Sequence, residues 1–230
     1  TASFDVLADV KRELGIFDDS AIVRPSKYER KELNFEPINV GEPNIPKSAD
    51  KMQMNKIVAE QKQLRLHEYL NTLPNKDWGN NQTYTSLDEF QSTAKSYTNS
   101  GLVFCPHVSW VFGVKNISVN IKENFNHLEN SMGIYAGSLD DSDDGDYDLE
   151  EIQNQYKRDD LSLLVATKAF GMGIDKPNIR YTIHFNMPQS IESFYQEAGR
   201  AGRDRKTSYC AILYCPTKSN ETDETVDKEL

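Results

Sequence analysis

The chain has 230 residues, a formal net charge of −10 and 37% hydrophobic residues, enough for one good-sized domain with a core. No apolar run approaches the roughly 18 residues of a membrane-spanning helix and no N-terminal signal pattern is present, so we expect no membrane span. The cysteine spacing fits neither a zinc site nor a disulfide framework and favours buried thiols in a reducing cytoplasm, at Cys105, Cys210 and Cys215. Because the first residue is a threonine, we expect the chain to be part of a longer protein.

The acidic charge is concentrated in two segments. Residues 140–151 hold eight acidic and no basic residues, and residues 221–230 hold five acidic residues and one lysine. Residues 168–218, in contrast, hold eight Lys or Arg against four Asp or Glu. Because the local field governs phosphate binding more than net charge does, this last segment is the candidate phosphate-binding surface.

The first acidic segment allows two interpretations. Five of its residues fall at positions 1, 3, 5, 6 and 12 of an EF-hand-like calcium loop: Asp140, Ser142, Asp144, Gly145 and Glu151. No entering helix is predicted before it, and charge runs of this kind are usually solvated. A solvated loop is the favoured interpretation, and calcium binding is the alternative.

Hydrophobic periodicity predicts a regular order of elements along the chain. The first third contains a helix within residues 1–20, a strand at 33–40 and an amphipathic helix at 50–70, with a buried side formed by Met54, Ile57, Val58 and Leu64. The polar segment 74–100 is predicted to be mostly loop, with a short helix near 87–97. A surface elaboration is its default interpretation, and a partner-binding site is the alternative.

The remaining pattern alternates strands and helices. It predicts strands at 102–105, 132–135, 161–166, 181–185 and 209–214, and helices at 111–125, 149–158 and 191–198. This alternation implies an α/β fold with a doubly wound, mainly parallel sheet and helices on both faces.

The strongest functional signal is the stretch Gln196–Asp204, QEAGRAGRD. On a continuous helix, Gln196, Arg200 and Arg203 would share one face. Each arginine directly follows a glycine, which costs a helix about 1 kcal/mol and indicates that something approaches the backbone closely. Two guanidinium groups on such a face suit a polyphosphate, whereas the alternative is a solvated basic helix end.

A second motif precedes this stretch. The buried strand at 161–166 runs into Thr167-Lys168, and a Gly171-Met172-Gly173 turn then leads to Asp175. Open parallel sheets bind ligands at the carboxyl ends of their strands, so these residues are candidates for ligand contacts.

The run from Val165 to Asp204 resembles motifs V and VI of superfamily 2 helicases, and RecQ-type DNA helicases in particular. Residues 101–105 resemble motif IV more weakly. The resemblance implies a second, C-terminal RecA-like motor domain at residues 25–218, with an insertion at about 74–100 and an acidic loop at 138–150. Residues 1–24 would then be a remnant of the first motor domain with the inter-domain linker, and residues 219–230 an acidic tail.

The resemblance also implies an ATP-dependent DNA helicase that translocates along and unwinds DNA. ATP and Mg²⁺ would be held mainly by the first motor domain, because this sequence contains neither a Gly-x-x-x-x-Gly-Lys-Ser/Thr loop nor an Asp-Glu-x-His motif. We therefore expect the chain alone to be inactive. The implied partners are DNA, as a single strand or a fork, and the first RecA-like domain of the same protein. The implied location is the cytoplasm, or the nucleoid in a bacterium.

By the same resemblance, Arg203 is the candidate arginine finger, with Arg200 beside it on the γ-phosphate. Three further candidates lie on the nucleotide side, namely Gln196, Gly173 and Asp175. Candidates for DNA phosphate contacts are Thr167, Lys168 and His107, although His107 follows Cys105-Pro106 where the family usually has small polar and basic residues. Two alternatives stay open: an RNA helicase domain of the same superfamily, and a non-catalytic nucleic-acid-binding scaffold.

Overall fold

The computed structural model describes residues 4–18, 22, 29–92, 96–137, 148–170 and 175–216. The chain divides into two compact units, residues 1–31 and residues 32–230. In the first unit, helix α1 spans Phe4–Glu13 and is followed by Gly15 in the left-handed conformation, with a φ of +63°. The assignment of this helix to a preceding motor domain stays a prediction.

The second unit contains six strands and five α-helices within the described residues. In chain order they are β1 (Leu33–Asn39), α2 (Lys51–Thr72), α3 (Leu87–Gln91), β2 (Ser100–Phe104), α4 (Val114–Asn124), β3 (Met132–Tyr135), α5 (Leu149–Lys157), β4 (Leu163–Ala166), β5 (Ile179–His184), α6 (Ile191–Ala198) and β6 (Ser208–Tyr214). All strand pairs are parallel, and the order across the sheet is β1-β6-β5-β2-β4-β3. The predicted doubly wound α/β fold is confirmed.

The central strands are buried on both faces because alternate side chains enter two separate cores. On β2, Val103 packs into the core formed with α2, α3 and α4, whereas Leu102 and Phe104 pack into the core formed with α5 and α6. The three cysteines are buried free thiols, as predicted.

Helix α2 begins at a capping box, in which Asp50 Oδ1 accepts from the Gln53 backbone amide at 2.8 Å. Val58 is buried as predicted, but the prediction for Leu64 is wrong, since that residue is 63% exposed. The buried stripe runs through Val58, Lys62 and Leu66, and Leu64 lies on the opposite side of the helix.

The segment 74–100 contributes to the core, so its interpretation as a surface elaboration needs correction. Trp78, Leu87 and Phe90 are buried. The indole of Trp78 stacks on Phe90 with ring centres 4.5 Å apart and donates a hydrogen bond to the Leu73 carbonyl at 2.9 Å. Composition hides this role because three large apolar residues are spread among many polar ones.

Residues 138–147 and 217–230 lie outside the described part of the chain, and with them most of the calcium-loop candidates and the acidic tail. Asp148 caps α5 by accepting from the amides of Glu150 and Glu151, each at 3.0 Å. The Glu151 carboxylate lies 2.9 Å from Arg158. Within the described ranges, no group of three His, Cys, Asp or Glu residues could hold a metal ion.

A substitution at Gly101 tests the packing of the central strands. Gly101 pairs in register with Tyr181, and an added Cβ would lie 2.0 Å from Cζ of that buried ring. The ring cannot move freely because Gln91 donates to its hydroxyl at 2.7 Å. Gly101→Ala should therefore lower the free energy of unfolding by about 3 kcal/mol, measured by urea denaturation. Gly137→Ala is the control, since among the described residues its Cβ would meet Ala169 alone, at an ordinary contact distance of 3.4 Å. Equal losses for both variants would contradict the prediction.

Candidate nucleotide and nucleic-acid site

The predicted site residues after β4 are partly described. Thr167 is buried, and its amide donates to the Tyr135 carbonyl at 3.1 Å, whereas Lys168 is exposed. Residues 171–174 lie outside the described part of the chain, so the prediction for Gly173 stays open. The exposed ammonium group thus lies at the carboxyl end of β4, where parallel sheets bind ligands.

A buried polar cluster holds the chain where it enters β5. The ammonium group of Lys176 is almost fully buried, contacts the Asp159 carboxylate and lies 4.9 Å from the Tyr156 ring centre. Asn178 Nδ2 donates to the same carboxylate at 2.7 Å. Burial lowers the pKa of Lys176, and the Asp159 carboxylate opposes that shift. This cluster restrains the backbone immediately after Asp175.

The arginine turn, residues 199–205, is not helical, so the prediction that Gln196, Arg200 and Arg203 share one helix face is wrong. Helix α6 ends at Ala198, and the chain then passes through turns. Gly202 has a φ of +61°, and its amide donates to the Ile179 carbonyl at 2.9 Å. That long-range hydrogen bond holds the arginine turn near the amino-terminal end of β5, away from the helical path.

The close approach expected at the second glycine of the stretch, Gly202, is made by the chain itself. A Cβ on Gly202 would lie 3.0 Å from both the Lys206 carbonyl oxygen and Ser208 Oγ. These close contacts and the positive φ explain why a glycine occupies position 202, and no ligand is needed to account for it.

A buried ion pair, which sequence reasoning missed, anchors the arginine turn. Arg180 Nη2 donates to Asp204 Oδ1 at 2.6 Å and to the Pro177 carbonyl at 2.7 Å. Arg180 Nη1 donates to the Thr207 carbonyl at 3.3 Å and to Ser208 Oγ at 3.4 Å. The final aspartate of the QEAGRAGRD stretch therefore has a structural partner on β5.

Two predicted nucleotide-side residues meet at this turn. Arg203 Nη1 donates to Asp175 Oδ1 at 3.0 Å, although the residues are 28 positions apart. The Arg203 side chain is 35% exposed and Asp175 is 84% exposed, so the pair faces solvent. Gln196 is exposed on α6. The functional roles predicted for these three residues stay predictions.

Arg200 lies in a less solvated position. Desolvation lowers its pKa, the nearby positive charge of Arg203 lowers it further, and Glu197 opposes both effects. Its Nε is buried with no hydrogen-bond partner among the described residues. A buried guanidinium donor of this kind favours an anionic ligand.

A His–Glu pair links α6 to the end of β5. His184 Nε2 lies 2.8 Å from Glu197 Oε2, and the imidazole stacks on Phe104 with ring centres 4.9 Å apart. Both residues line a cavity of about 100 Å³ that Lys168 also lines. The pair could not be predicted, because it forms only when α6 folds back against β5.

Six of the eight predicted residues thus separate into two groups. Arg200, Arg203 and Asp175 lie close to the amino-terminal end of β5, whereas Thr167, Lys168 and His107 follow the carboxyl ends of β4 and β2. His107 is half-buried, and its carbonyl accepts from the Val114 amide at 2.9 Å.

The helicase conserved C-terminal domain family matches residues 83–205, more than half of the chain. The chain belongs to this family. Within it, the segment is similar to RecQ-type enzymes, which confirms the resemblance. It is 38% identical over 134 residues to a probable ATP-dependent DNA helicase RecS of Bacillus subtilis, covering 58% of this chain and 25% of that protein. It is 51% identical over 70 residues to the RecQ-like DNA helicase BLM of Xenopus laevis, covering 30% of this chain and 5% of that protein.

Solved structures support the fold of this helicase domain. Yeast Dbp5 bound to RNA and ADP BeF3 gives a TM-score of 0.54 at 12% identity, covering 94% of this chain and 44% of that chain. Domain 2 of the DEAD-box helicase Mss116p gives a TM-score of 0.53 at 13% sequence identity, covering 79% of this chain and 54% of that chain. The chain spans a quarter or less of the curated relatives RecS and BLM. No helix in the described ranges is long and apolar enough to cross a membrane.

Proposed function

We propose that this chain is the C-terminal motor domain of an ATP-dependent DNA helicase. In this proposal, the arginine turn faces an ATP held by the first motor domain, and the carboxyl edge of β2 and β4 contacts DNA phosphates. The observation that carries the proposal is the pairing of Arg203 with Asp175 beside a half-buried Arg200, in a chain of the helicase family.

The arginine turn suits the charge that develops during phosphoryl transfer. The ion pair between Arg203 and the Asp175 carboxylate faces solvent, and exposed ion pairs are weak, so Arg203 can exchange that carboxylate for a γ-phosphate. Arg200 adds a second positive charge and a buried Nε that a phosphate oxygen would satisfy. Positioned guanidinium groups stabilise the transition state without changing their own protonation.

Magnesium is not assigned to this domain. The described residues contain no group of three His, Cys, Asp or Glu residues that could hold a metal ion. In the proposal, the first motor domain holds both Mg²⁺ and the phosphate loop, and this domain contributes only the arginine side.

The DNA side of the proposal relies on phosphate contacts. Thr167, Lys168 and His107 follow strands that are neighbours in the sheet, so all three belong to one edge. Phosphate contacts position a nucleic acid without reading its sequence, so we expect little sequence preference. The names of the RecS and BLM relatives favour DNA over RNA.

The purified 230-residue chain should show no ATP hydrolysis above background, with or without single-stranded DNA. The physical reason is that the arginines of this domain cannot hold the β- and γ-phosphates of ATP without the phosphate loop of the first motor domain. Hydrolysis is measured by phosphate release, and the full-length protein serves as the positive control. DNA-stimulated turnover by the isolated chain would contradict this prediction. Unwinding of RNA but not DNA duplexes by the full-length protein would overturn the choice of DNA.

A further inference from the structure

Trp110 combines an exposed indole with a backbone conformation that bulky residues rarely adopt. Its φ is +79°, and 45% of the residue is exposed. The other non-glycine residues with positive φ in the described ranges are polar: Asn81, Asp159 and Arg205. Strained backbone of this kind persists where the surrounding structure over-determines it, and it is concentrated at functional sites.

The loop that carries Trp110, residues 106–113, is tightly closed against α4. The Trp110 carbonyl accepts from the Gly113 amide at 2.9 Å, and the Val108 carbonyl accepts from the Lys115 amide at 3.1 Å. A Cβ on Gly113 would lie 2.2 Å from the Ser109 carbonyl oxygen, so the loop has no room to relax. The buried Phe112 ring meets the Trp110 ring edge-on, with centres 6.0 Å apart. The loop backbone and the Phe112 ring therefore fix the position of the indole, while part of the indole faces solvent.

The position and charge of the loop suit a nucleic acid. It directly follows β2, and its first residue, Pro106, lines the same cavity as Lys168. Although the chain is strongly acidic, it has no Asp or Glu between Phe90 and Lys122. A polyanion can therefore approach the Trp110 indole without meeting a carboxylate from residues 91–121.

We propose that Trp110 is a stacking platform for one nucleobase of single-stranded DNA at the carboxyl edge of the sheet. This inference rests on the proposed function and adds to it a contact to a base where only phosphate contacts were predicted. Every base presents a flat π-face, so such a platform binds without sequence preference. Because the loop is already rigid, little conformational freedom is lost when a base stacks on it.

The test compares base-containing and base-free ligands on the full-length protein. Binding is measured by fluorescence anisotropy with labelled oligothymidine and with an abasic oligonucleotide of equal length. Trp110→Ala should weaken binding of oligothymidine about tenfold, which is within the range for loss of one stacked base. Trp110→Phe should retain most of the affinity.

Binding of the abasic oligonucleotide should be the same for the wild type and Trp110→Ala. Val119→Ala, which removes exposed apolar surface from α4, is the matched control and should bind both ligands normally.

The possible negative results distinguish failure of the proposed function from failure of the stacking platform. If the wild-type protein binds no single-stranded DNA, the proposed function fails. If the wild type binds DNA and Trp110→Ala binds oligothymidine equally well, the stacking platform alone is wrong. An equal loss for the abasic ligand would also overturn it, because Trp110 would then act through the loop or a neighbouring protein surface and not through a base.

Discussion

Replacing Arg203 with alanine in the full-length protein should lower the rate of ATP hydrolysis by about 10³- to 10⁵-fold, while ATP binding changes little. The expectation follows from the geometry of the arginine turn. The guanidinium group is exposed enough to reach a ligand from another domain, and its ion pair with Asp175 is exposed and exchangeable. A charge that acts on the transition state, rather than on bound ATP, affects turnover more than affinity.

The measurement is single-turnover hydrolysis at saturating ATP, together with the Kd of a fluorescent ATP analogue. Arg203→Lys keeps the charge but loses the planar fork, so it should recover only a small part of the rate. Lys206→Ala removes an exposed cation three residues further on and is the matched control, which should turn over normally. Normal turnover by Arg203→Ala would contradict the arginine-finger assignment.

Replacing Arg180 with alanine should lower the free energy of unfolding by about 3–5 kcal/mol. Arg180 is only 5% exposed and donates to four acceptors, including the Asp204 carboxylate at 2.6 Å. Removing the guanidinium group leaves that partly buried carboxylate and two backbone carbonyls without these donors. Because Asp204 belongs to the arginine turn, hydrolysis by the full-length protein should fall as well, although Arg180 is not predicted to touch ATP.

Urea denaturation measures the stability change. The matched control is Arg158→Ala, because Arg158 also pairs with carboxylates, those of Glu151 and Asp160, at 2.9 and 3.1 Å. That arginine is exposed, so its ion pairs are screened by water and its loss should shift the denaturation midpoint little. Similar midpoint shifts for both variants would show that burial does not distinguish the two ion pairs.

Local signals predicted α6 well. Ser190 caps the helix by accepting from the Ser193 amide at 3.1 Å, and the helix ends before Gly199, as its sequence indicates. The shared helix face of Gln196, Arg200 and Arg203 would need the helix to continue through Arg203, and it does not, for a non-local reason. Its path is decided by the hydrogen bond from Gly202 to Ile179 on β5, a contact that helical periodicity does not contain.

The amino-acid sequence alone predicts the family, the fold class, the order of strands and helices, and the arginine pair on the proposed nucleotide side. Local spacing and turn residues carry this information, because each element forms from neighbours along the chain. The folded structure was needed to show that Arg203 meets Asp175, that Arg180 holds Asp204, and that Trp110 is exposed on a closed loop. These contacts depend on which strands lie side by side and on how α6 returns across the sheet, and residues distant in sequence become partners only when the sheet is assembled.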